Sequence, residues 1–432
     1  MDFGINSKVT VDDNFELQPN SGGTTTIFDN TLSFGLTSIT ASQEIRLTGA
    51  GVLRYANIPG RTVSGFEDPR LQFNYKIENS NSRLTADARY RRSDREFLDP
   101  FQVEQEEQIL DGTGLFAGGG TVTTRNAAIS YETGINAPLG FRITGSHAEK
   151  QYEDLSILNS RLFDTETNSI DATVSAKLSP VTVMRFNAGL RRYRADDSVQ
   201  TDRETTDYSI GITQDINQVW ILGAQLGRTE VDTIDTVGTR QTSGTNSQLK
   251  LTRTLSNGSV FASYDATVNQ NGTRKALRFG RDLQLPRGNL SASLGVTETP
   301  SGNTGSNAAI TYSYALASSN LSLSLKRDVS TNNNSEEIID TRVAVGYGYQ
   351  IDAISNLNFA MNYGRSESAD DLSAVPTVDR TTLTASYSRA LTQDWDLTGG
   401  VTLRRRSDTS ATGDAESNSV FLTLDRTFSF RP

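Results

Sequence analysis

Residues 343–363 read VAVGYGYQIDAISNLNFAMNY and carry the pattern that decides the fold. From Val343 to Tyr349 every second residue is a valine or tyrosine, with small residues between them. After a polar turn the alternation resumes from Leu357 to Tyr363. Successive side chains of a β-strand point to opposite faces, so this period of two predicts two antiparallel strands joined by a tight turn.

The same alternation recurs along the whole chain, and we find no helical period of comparable length. Ten short connections punctuate it, near residues 39–43, 78–82, 134–139, 178–182, 214–218, 255–258, 285–289, 317–320, 351–355 and 391–395. Eleven mostly longer, polar connections lie between them. Together they predict about 22 strands (range 18–24), an even number that places both termini on the short-turn side.

Composition limits the class of protein. Of the 432 residues 35% are apolar, there is no cysteine, and the formal charge is −10. No apolar run is long enough for a transmembrane helix. A transmembrane barrel needs lipid-facing residues only at alternate positions, so low hydropathy is compatible with it. The absence of cysteine excludes disulfides and thiolate sites, and the acidic balance argues against nucleic-acid binding.

Aromatic and proline positions favour a membrane barrel over a soluble β-propeller or β-solenoid, which would require a repeated motif of fixed period. Tyrosine and tryptophan concentrate at membrane interfaces. Trp220 and Trp395 follow short turns, whereas Tyr55, Tyr90, Tyr131 and Tyr363 are expected toward the opposite strand ends. Prolines fall in predicted connections, with Pro69 at a strand start and none interrupting a strand. We therefore predict an all-β, antiparallel, up-and-down transmembrane barrel: one domain, residues 1–432, without a plug domain.

The chain resembles the β-barrel porin type 2 family and, more loosely, barrels associated with exopolysaccharide operons. The resemblance rests on the opening segment KVTVDDNF (8–15), on RLTGAGVLRY (46–55) and on the aromatic final strand. It implies an outer-membrane location, with a signal peptide removed, and export or passive transport. It supplies no catalytic residues. Such barrels end on an aromatic residue that the assembly machinery reads, whereas here Phe430 is followed by Arg431 and Pro432.

We expect no enzymatic activity. The single histidine, His147, lies on the outward parity of a strand and near its loop end, without a local nucleophile motif. Two acidic stretches, 94–111 and 332–337, could bind Ca²⁺ through oxygen ligands. Neither has the spacing of a defined calcium loop, so solvated acidic surface is the preferred interpretation, with no cofactor or metal site.

Residues of opposite parity to the apolar ones should line the lumen. The candidates for lumen and selectivity residues are Arg46, Arg54, Lys76, Arg89, Arg91, Arg142, Arg185, Arg191, Arg278, Arg342 and Arg404; Arg83, Lys177, Lys250 and Lys326 share their parity. The same rule assigns six inward acids: Asp87, Glu132, Asp171, Asp265, Asp282 and Asp425. A lumen with fifteen bases and six acids would concentrate anions. Alternatively, the arginines pair with carboxylates and stiffen the wall.

The long connection 92–121 is predicted to close the lumen by folding inward. It carries apolar side chains that would be unfavourable in solvent, and we take Phe97, Phe101 and Phe116 as constriction candidates. A barrel of this width without a plug would otherwise be a wide hole.

Two classes of function remain open. One is a porin-like channel for diffusion, or for export of an anionic polysaccharide or small anions, with the basic lumen as its selectivity element. The other is a non-conducting structural or adhesion barrel whose acidic external loops bind a surface component or a partner protein. Expected partners are outer-membrane lipid, lipopolysaccharide and the barrel-assembly machinery.

Overall fold

The computed structural model describes residues 1–99, 119–155, 162–332, 334–369, 377–409 and 413–430. These residues form 22 antiparallel strands, each paired with its neighbours in sequence. The last strand pairs with the first from Asp2↔Ser429 to Asp12↔Ser419, which closes the sheet into a barrel. The strands are β1 Asp2–Asp12, β2 Thr25–Ile39, β3 Gln43–Ile58, β4 Arg61–Glu78, β5 Ser82–Asp94, β6 Thr121–Thr133, β7 Leu139–Glu153, β8 Thr165–Ser179, β9 Thr182–Ala195, β10 Thr201–Asp215, β11 Trp220–Asp235, β12 Gly238–Leu255, β13 Gly258–Asn269, β14 Gly272–Leu285, β15 Gly288–Glu298, β16 Thr304–Ala315, β17 Ser319–Thr331, β18 Glu337–Asp352, β19 Ser355–Ser368, β20 Val378–Ala390, β21 Trp395–Asp408 and β22 Ala415–Ser429.

The predicted strand count and closure are confirmed, and all ten predicted short turns connect strands at one end, which we call the turn end. Both termini lie there, where the Met1 amino group donates to the Phe430 carbonyl oxygen (2.9 Å). The opposite end is called the loop end. Some of its connections are shorter than predicted: residues 59–60, 236–237 and 270–271 are two-residue turns.

The outer face is apolar, as the alternation predicts. On β9, for example, Phe186 and Leu190 point outward and are 45% and 42% exposed in the isolated chain. Trp220 and Trp395 begin β11 and β21 at the turn end, and Tyr55, Tyr90 and Tyr363 lie toward the loop end. The expectation for Tyr131 is wrong, because this residue lies two positions before the turn-end terminus of β6. The described residues contain no helix long and apolar enough to cross a membrane.

Pro69 was expected at a strand start but lies inside β4, where it interrupts the pairing. The register with β3 shifts opposite Asp68 and Pro69, and Asp68 adopts a left-handed φ of 47°. Pairing of β4 with β5 begins only at Arg70. Proline lacks a ladder donor and is tolerated in strands at bulges. The bulge reconciles the proline with a continuous strand.

At the loop end, three hairpins extend beyond the neighbouring strand on one side. The β3–β4 hairpin continues past the bulge at Pro69, where β5 no longer pairs with β4. The β11–β12 hairpin outruns β13, which pairs with β12 only from Ser247 onward. The β17–β18 hairpin outruns β16, whose pairing stops at Arg327. Part of what looks like loop sequence is therefore strand.

The inner face is polar except near the loop end. There Ile27, Ala56 and Ile58 form a small apolar cluster on β2 and β3, with Ala56 fully buried. A barrel of 22 strands spaced about 4.8 Å apart and tilted by about 40° is roughly 40 Å across between backbones. Side chains from the wall cannot fill such a lumen, so burial at one end requires another segment to cover it.

Candidate functional site: the loop-end mouth and the inner wall

The segment that follows β5 folds inward at the loop end and covers the apolar cluster. A single 3₁₀ turn, Arg95–Phe97, begins at Asp94, whose carboxylate accepts a hydrogen bond from the Glu96 amide. This turn places Phe97 against Ile27, Ala56 and Ile58. The Phe97 ring also meets Phe15 from the β1–β2 connection, with ring centroids 5.0 Å apart.

Two arginines of the inner wall hold this aromatic pair from either side. The guanidinium carbon of Arg54 on β3 lies 3.9 Å from the centroid of Phe97, and that of Arg404 on β21 lies 5.7 Å from the centroid of Phe15. Cations over aromatic faces are attracted by the ring quadrupole. We call Arg54, Phe97, Phe15 and Arg404 the mouth latch, since together they connect two loop-end segments to opposite sides of the β22–β1 seam.

Salt bridges fix both ends of the latch. Arg54 makes a bidentate pair with Asp29, with both N···O distances 2.8 Å. Arg404 donates to the buried Asp12 carboxylate (2.7 Å) and to the Phe15 carbonyl oxygen (3.1 Å). Planar guanidinium groups suit such combined recognition of a carboxylate and a ring face.

Further polar contacts bind the same segments to each other. Arg61 at the base of the β3–β4 hairpin tip donates to Glu16 (3.2 Å) and to Glu96. Arg95 lies near the Tyr152 ring, and burial lowers the pKa of its guanidinium. The predicted inward folding of this connection is thus supported for its first residues, 94–99.

The β17–β18 hairpin approaches from the other side of the mouth. The Asn271 side chain donates to the Ser335 carbonyl oxygen (2.8 Å), and Arg203 on β10 donates to the Ser335 hydroxyl (3.3 Å). Arg274 on β14 forms a salt bridge of 2.5 Å with Glu337, whose side chain is only 3% exposed. These contacts pass over β15 and β16, so the hairpin leans inward across the opening.

The structure places the eleven lumen candidates on the inner face, as the register with neighbouring strands requires. Inward residues pair with inward residues across the sheet, for example Arg91 with Arg70 and Arg142 with Glu132. The set is Arg46, Arg54, Lys76, Arg89, Arg91, Arg142, Arg185, Arg191, Arg278, Arg342 and Arg404. Their role in selectivity remains a prediction.

The predicted ratio of fifteen inward bases to six inward acids is wrong. Register also places further acids on the inner face, including Asp12, Asp29, Glu44, Glu78 and Asp207. The inner face also carries further bases, including Lys8, Arg203, Arg274, Arg380 and Arg406. The omitted acids lie mostly near strand ends, where few apolar neighbours mark the parity.

Many of the candidates form salt bridges, as the alternative interpretation predicted. Arg91 pairs with Asp68 (2.7 Å), a residue whose side chain turns inward only because of the bulge. Arg278 contacts Asp265 (3.6 Å) and also Asp328 (3.3 Å), which lies three strands away. It can span that distance because Gly295 lies beside it on β15 without a side chain. This part of the wall is stiffened by charge pairs.

A second part of the wall, on β8 to β10, keeps cationic groups exposed to the lumen. Arg185 donates to the Thr213 hydroxyl (2.9 Å). Arg191 lies one inward position from Gly189, which is flanked on the neighbouring strands by Asp171 and Asp207, and these carboxylates offset part of its charge. Both arginines are exposed, and neither forms a salt bridge with the described residues. They are the candidates best placed to meet a passing anion.

Phe101 and Phe116 lie outside the described residues. In the two acidic stretches, Glu96 contacts Arg61, Glu336 bonds with Asn332, and Glu337 contacts Arg274, so these carboxylates already have protein partners. Among the described residues, no group of three or more histidine or acidic side chains could hold a metal ion. His147 faces outward, with Nδ1 2.8 Å from Asn168 Oδ1.

Sequence reasoning missed Phe15, Asp68 and Arg274 as parts of this site. Phe15 belongs to the acidic corner that carries the family resemblance, yet nothing in the local pattern pairs it with Phe97. The Asp68-Pro69 dipeptide was the available signal for the bulge, since proline inside an alternating run marks one. The contact between Arg274 and Glu337 depends on hairpin bending that no local pattern encodes.

The geometry defines a class of protein: a wide, closed outer-membrane β-barrel with inward-folded segments at the loop end. Three solved structures are similar to it. They are the FrpB iron transporter from Neisseria meningitidis (TM-score 0.60, 10% identity, 99% of this chain and 82% of that chain), the ferric preacinetobactin receptor BauA from Acinetobacter baumannii (0.60, 13%, 98% and 80%), and the ferric-catecholate import receptor Fiu from E. coli K12 (0.57, 12%, 98% and 81%).

This likeness supports a large outer-membrane β-barrel. About a fifth of each similar chain has no counterpart in this one, and barrels of 22 strands used in transport have a plugged lumen. The described residues of this chain belong to the wall, its connections and the inward segments, without a plug domain. No family model and no curated protein matches the chain.

Proposed function

We propose that this chain is an outer-membrane channel for anionic solutes, closed at rest by the mouth latch at its external, loop end. The observation that carries the proposal is the exposed arginine pair on β9, Arg185 and Arg191, in a lumen too wide to be filled by wall side chains. In a low-dielectric wall, fixed positive charge raises the local concentration of anions. The relationship to the porin type 2 family and a role in polysaccharide export are parts of this proposal.

Three anionic solutes fit this proposal. Inward arginines favour an acidic polysaccharide or small organic acids. One of the similar structures is a ferric-catecholate import receptor, and ferric catecholates are also anionic. We propose no enzymatic activity, because the one histidine faces outward and bonds to an amide. The barrel-assembly machinery is the expected partner for insertion.

The test is single-channel recording in a planar bilayer under a salt gradient. We expect anion preference in the reversal potential, and we expect the double substitution Arg185→Gln/Arg191→Gln to lower the anion-to-cation permeability ratio about twofold or more. Removing two lumen charges weakens the field that concentrates anions. Block by an acidic oligosaccharide, a small organic dianion and a ferric catecholate then ranks the three solutes.

The matched control uses the same strand. Arg192 and Arg194 alternate with the lumen residues but face outward, where they pair with Asp202 at 2.6 and 3.6 Å. Arg192→Gln/Arg194→Gln removes the same charge and should leave the permeability ratio unchanged. An equal effect of both double substitutions, or cation preference in the parent protein, would contradict the anion-channel proposal.

The contacts across the mouth favour a second candidate, a non-conducting barrel. The residues that bind at the opening are 94–99, 332 and 334–336, and a permanently sealed mouth would leave the acidic external connections as an adhesion surface. If neither the parent protein nor a variant with a disrupted latch conducts ions, the non-conducting barrel is the correct function.

A further inference from the structure

The lipid-facing side of β18–β21 contains an apolar groove of about 290 Å³. Cross-strand rows explain its shape. Phe359, Ala385 and Val401 form one row, and the row below it passes through Tyr387 to Gly399. The small side chain of Ala385 and the missing one at Gly399 leave a depression between larger neighbours.

The rows above the groove change from apolar to charged toward the loop end. Met361, Leu383 and Leu403 form the next apolar row, followed by one with Tyr363 and Arg405. One row higher, Arg365 stands opposite Asp379. The change occurs within two residues on each strand, so the apolar groove and the charged cluster form one continuous amphipathic surface.

The charged cluster is ordered by its own contacts. Arg365 contacts Glu367 at 2.7 Å, which also binds Arg327 at 3.0 Å. The Tyr363 hydroxyl donates to Asp379 at 2.6 Å. Arg405 is 61% exposed, with its acidic neighbours, Asp414 and Glu416, both 3.7 Å away. Arg405 therefore pairs with both carboxylates while more than half of its side chain stays exposed.

We propose that this surface is a binding site for the lipid A part of lipopolysaccharide. The groove takes an acyl chain, Arg405 and Arg365 donate to a lipid A phosphate, and the surrounding carboxylates meet the divalent cations that accompany those phosphates. Charge-assisted hydrogen bonds from arginine to phosphate are strong, and hard divalent cations prefer oxygen ligands. The site rests on the proposed function only in placing the loop end outside, where the outer leaflet lies.

Two features identify lipid A as the ligand: the cluster carries charges of both signs, and it lies at the membrane level where the apolar rows end. A second copy of the chain would meet the same depression with its own convex wall, and a phospholipid would bring one phosphate without a cation layer. Lipid A supplies several acyl chains, phosphates and bound cations at the level where the rows become charged.

The test is native mass spectrometry of purified protein in mild detergent, titrated with lipid A, monophosphoryl lipid A or phosphatidylglycerol in the presence of Mg²⁺. We expect one tightly held lipid A per chain, weaker binding of the monophosphoryl form, and least of phosphatidylglycerol. Ala385→Phe fills the groove and Arg405→Gln removes the donor, so each should reduce lipid A retention at least tenfold.

The control variants lie on the opposite wall. Ala188→Phe and Arg192→Gln make the same changes on the outward face of β9, and should not alter retention. Equal loss in both sets, preference for phosphatidylglycerol, or a dimer mass abolished by Ala385→Phe would overturn the proposal. Heat-dependent gel mobility reports folding of every variant, and conductance of the same samples separates failure of this site from failure of the channel proposal.

Discussion

If the proposed channel is closed by the mouth latch, we expect that replacing Phe97 with alanine will open the external mouth and raise the open probability of single channels about 100-fold. The substitution removes the ring that touches Phe15, that Arg54 covers, and that packs on Ile27, Ala56 and Ile58. An aromatic pair contributes about 1 kcal/mol, a partly buried cation–π contact about 1 kcal/mol, and burial of about half of a phenyl ring about 1 kcal/mol. Losing roughly 3 kcal/mol of the closed state shifts its equilibrium by about two decades.

The measurement is planar-bilayer recording of the parent protein and the variant at equal protein insertion. Phe261 provides the matched control, because it also faces the lumen and is covered by a cation, Lys250, and in the part of the chain that the structure describes it contacts no mouth segment. Phe261→Ala should leave the open probability near the parent value. Unchanged gating in Phe97→Ala would mean that the latch does not close the channel, and that residues 94–99 only stabilise the rim.

Phe15→Ala should have a similar effect, because it removes the other ring of the same aromatic contact. If the latch acts as a unit, the double variant will destabilise the closed state by less than the sum of the two single variants. Non-additivity of this kind separates a shared contact from two independent effects on the wall.

The wall could be predicted from the sequence almost completely, because the alternation of apolar and polar residues within each strand shows which face meets lipid. The residues 343–363 show this: period, turn and aromatic positions are all local. Each of the ten short turns was located in the same way. Tyr131 was misplaced, although the turn at Gly134 is close, because its strand has few outward apolar residues beyond Ile129.

The mouth could be predicted only in outline. Apolar content marked the β5–β6 connection as inward-folding, but its partner, Phe15, is 82 residues away in sequence, and Arg404 is more than 300 away. Such contacts depend on barrel closure, which brings β21, β22 and β1 next to β2 and β3. The predicted charge balance of the lumen is wrong for a different reason: most of the omitted acids, such as Asp12, Glu44 and Glu78, lie near strand ends, where few apolar neighbours mark the parity.

The second large effect is expected at the closure seam, where Arg404→Leu should lower the free energy of unfolding by about 3 kcal/mol. Asp12 ends β1 and is 2% exposed. Its carboxylate accepts from Arg404 (2.7 Å), from the Ser417 hydroxyl (2.8 Å) and from the Asn14 amide (2.9 Å). Without the arginine, a buried charge is left uncompensated, and breaking a buried ion pair costs about 3–5 kcal/mol. The lower end applies because Arg404 is 26% exposed.

Urea unfolding in lipid vesicles, followed by the fluorescence of Trp220 and Trp395, measures this loss. Asp12→Asn in the Arg404→Leu background should restore most of the stability, because it removes the unpaired charge while Ser417 and Asn14 can still donate to the amide oxygen. Arg46→Leu is the matched control: its pair with Glu44 is solvent-exposed, 56% and 35%, so its loss should cost less than about 1 kcal/mol. If Arg404→Leu costs no more than Arg46→Leu, or if Asp12→Asn fails to rescue it, the seam is held by backbone pairing of β1 with β22 alone. In that case Arg404 serves only the latch, and its substitution should change gating without changing stability.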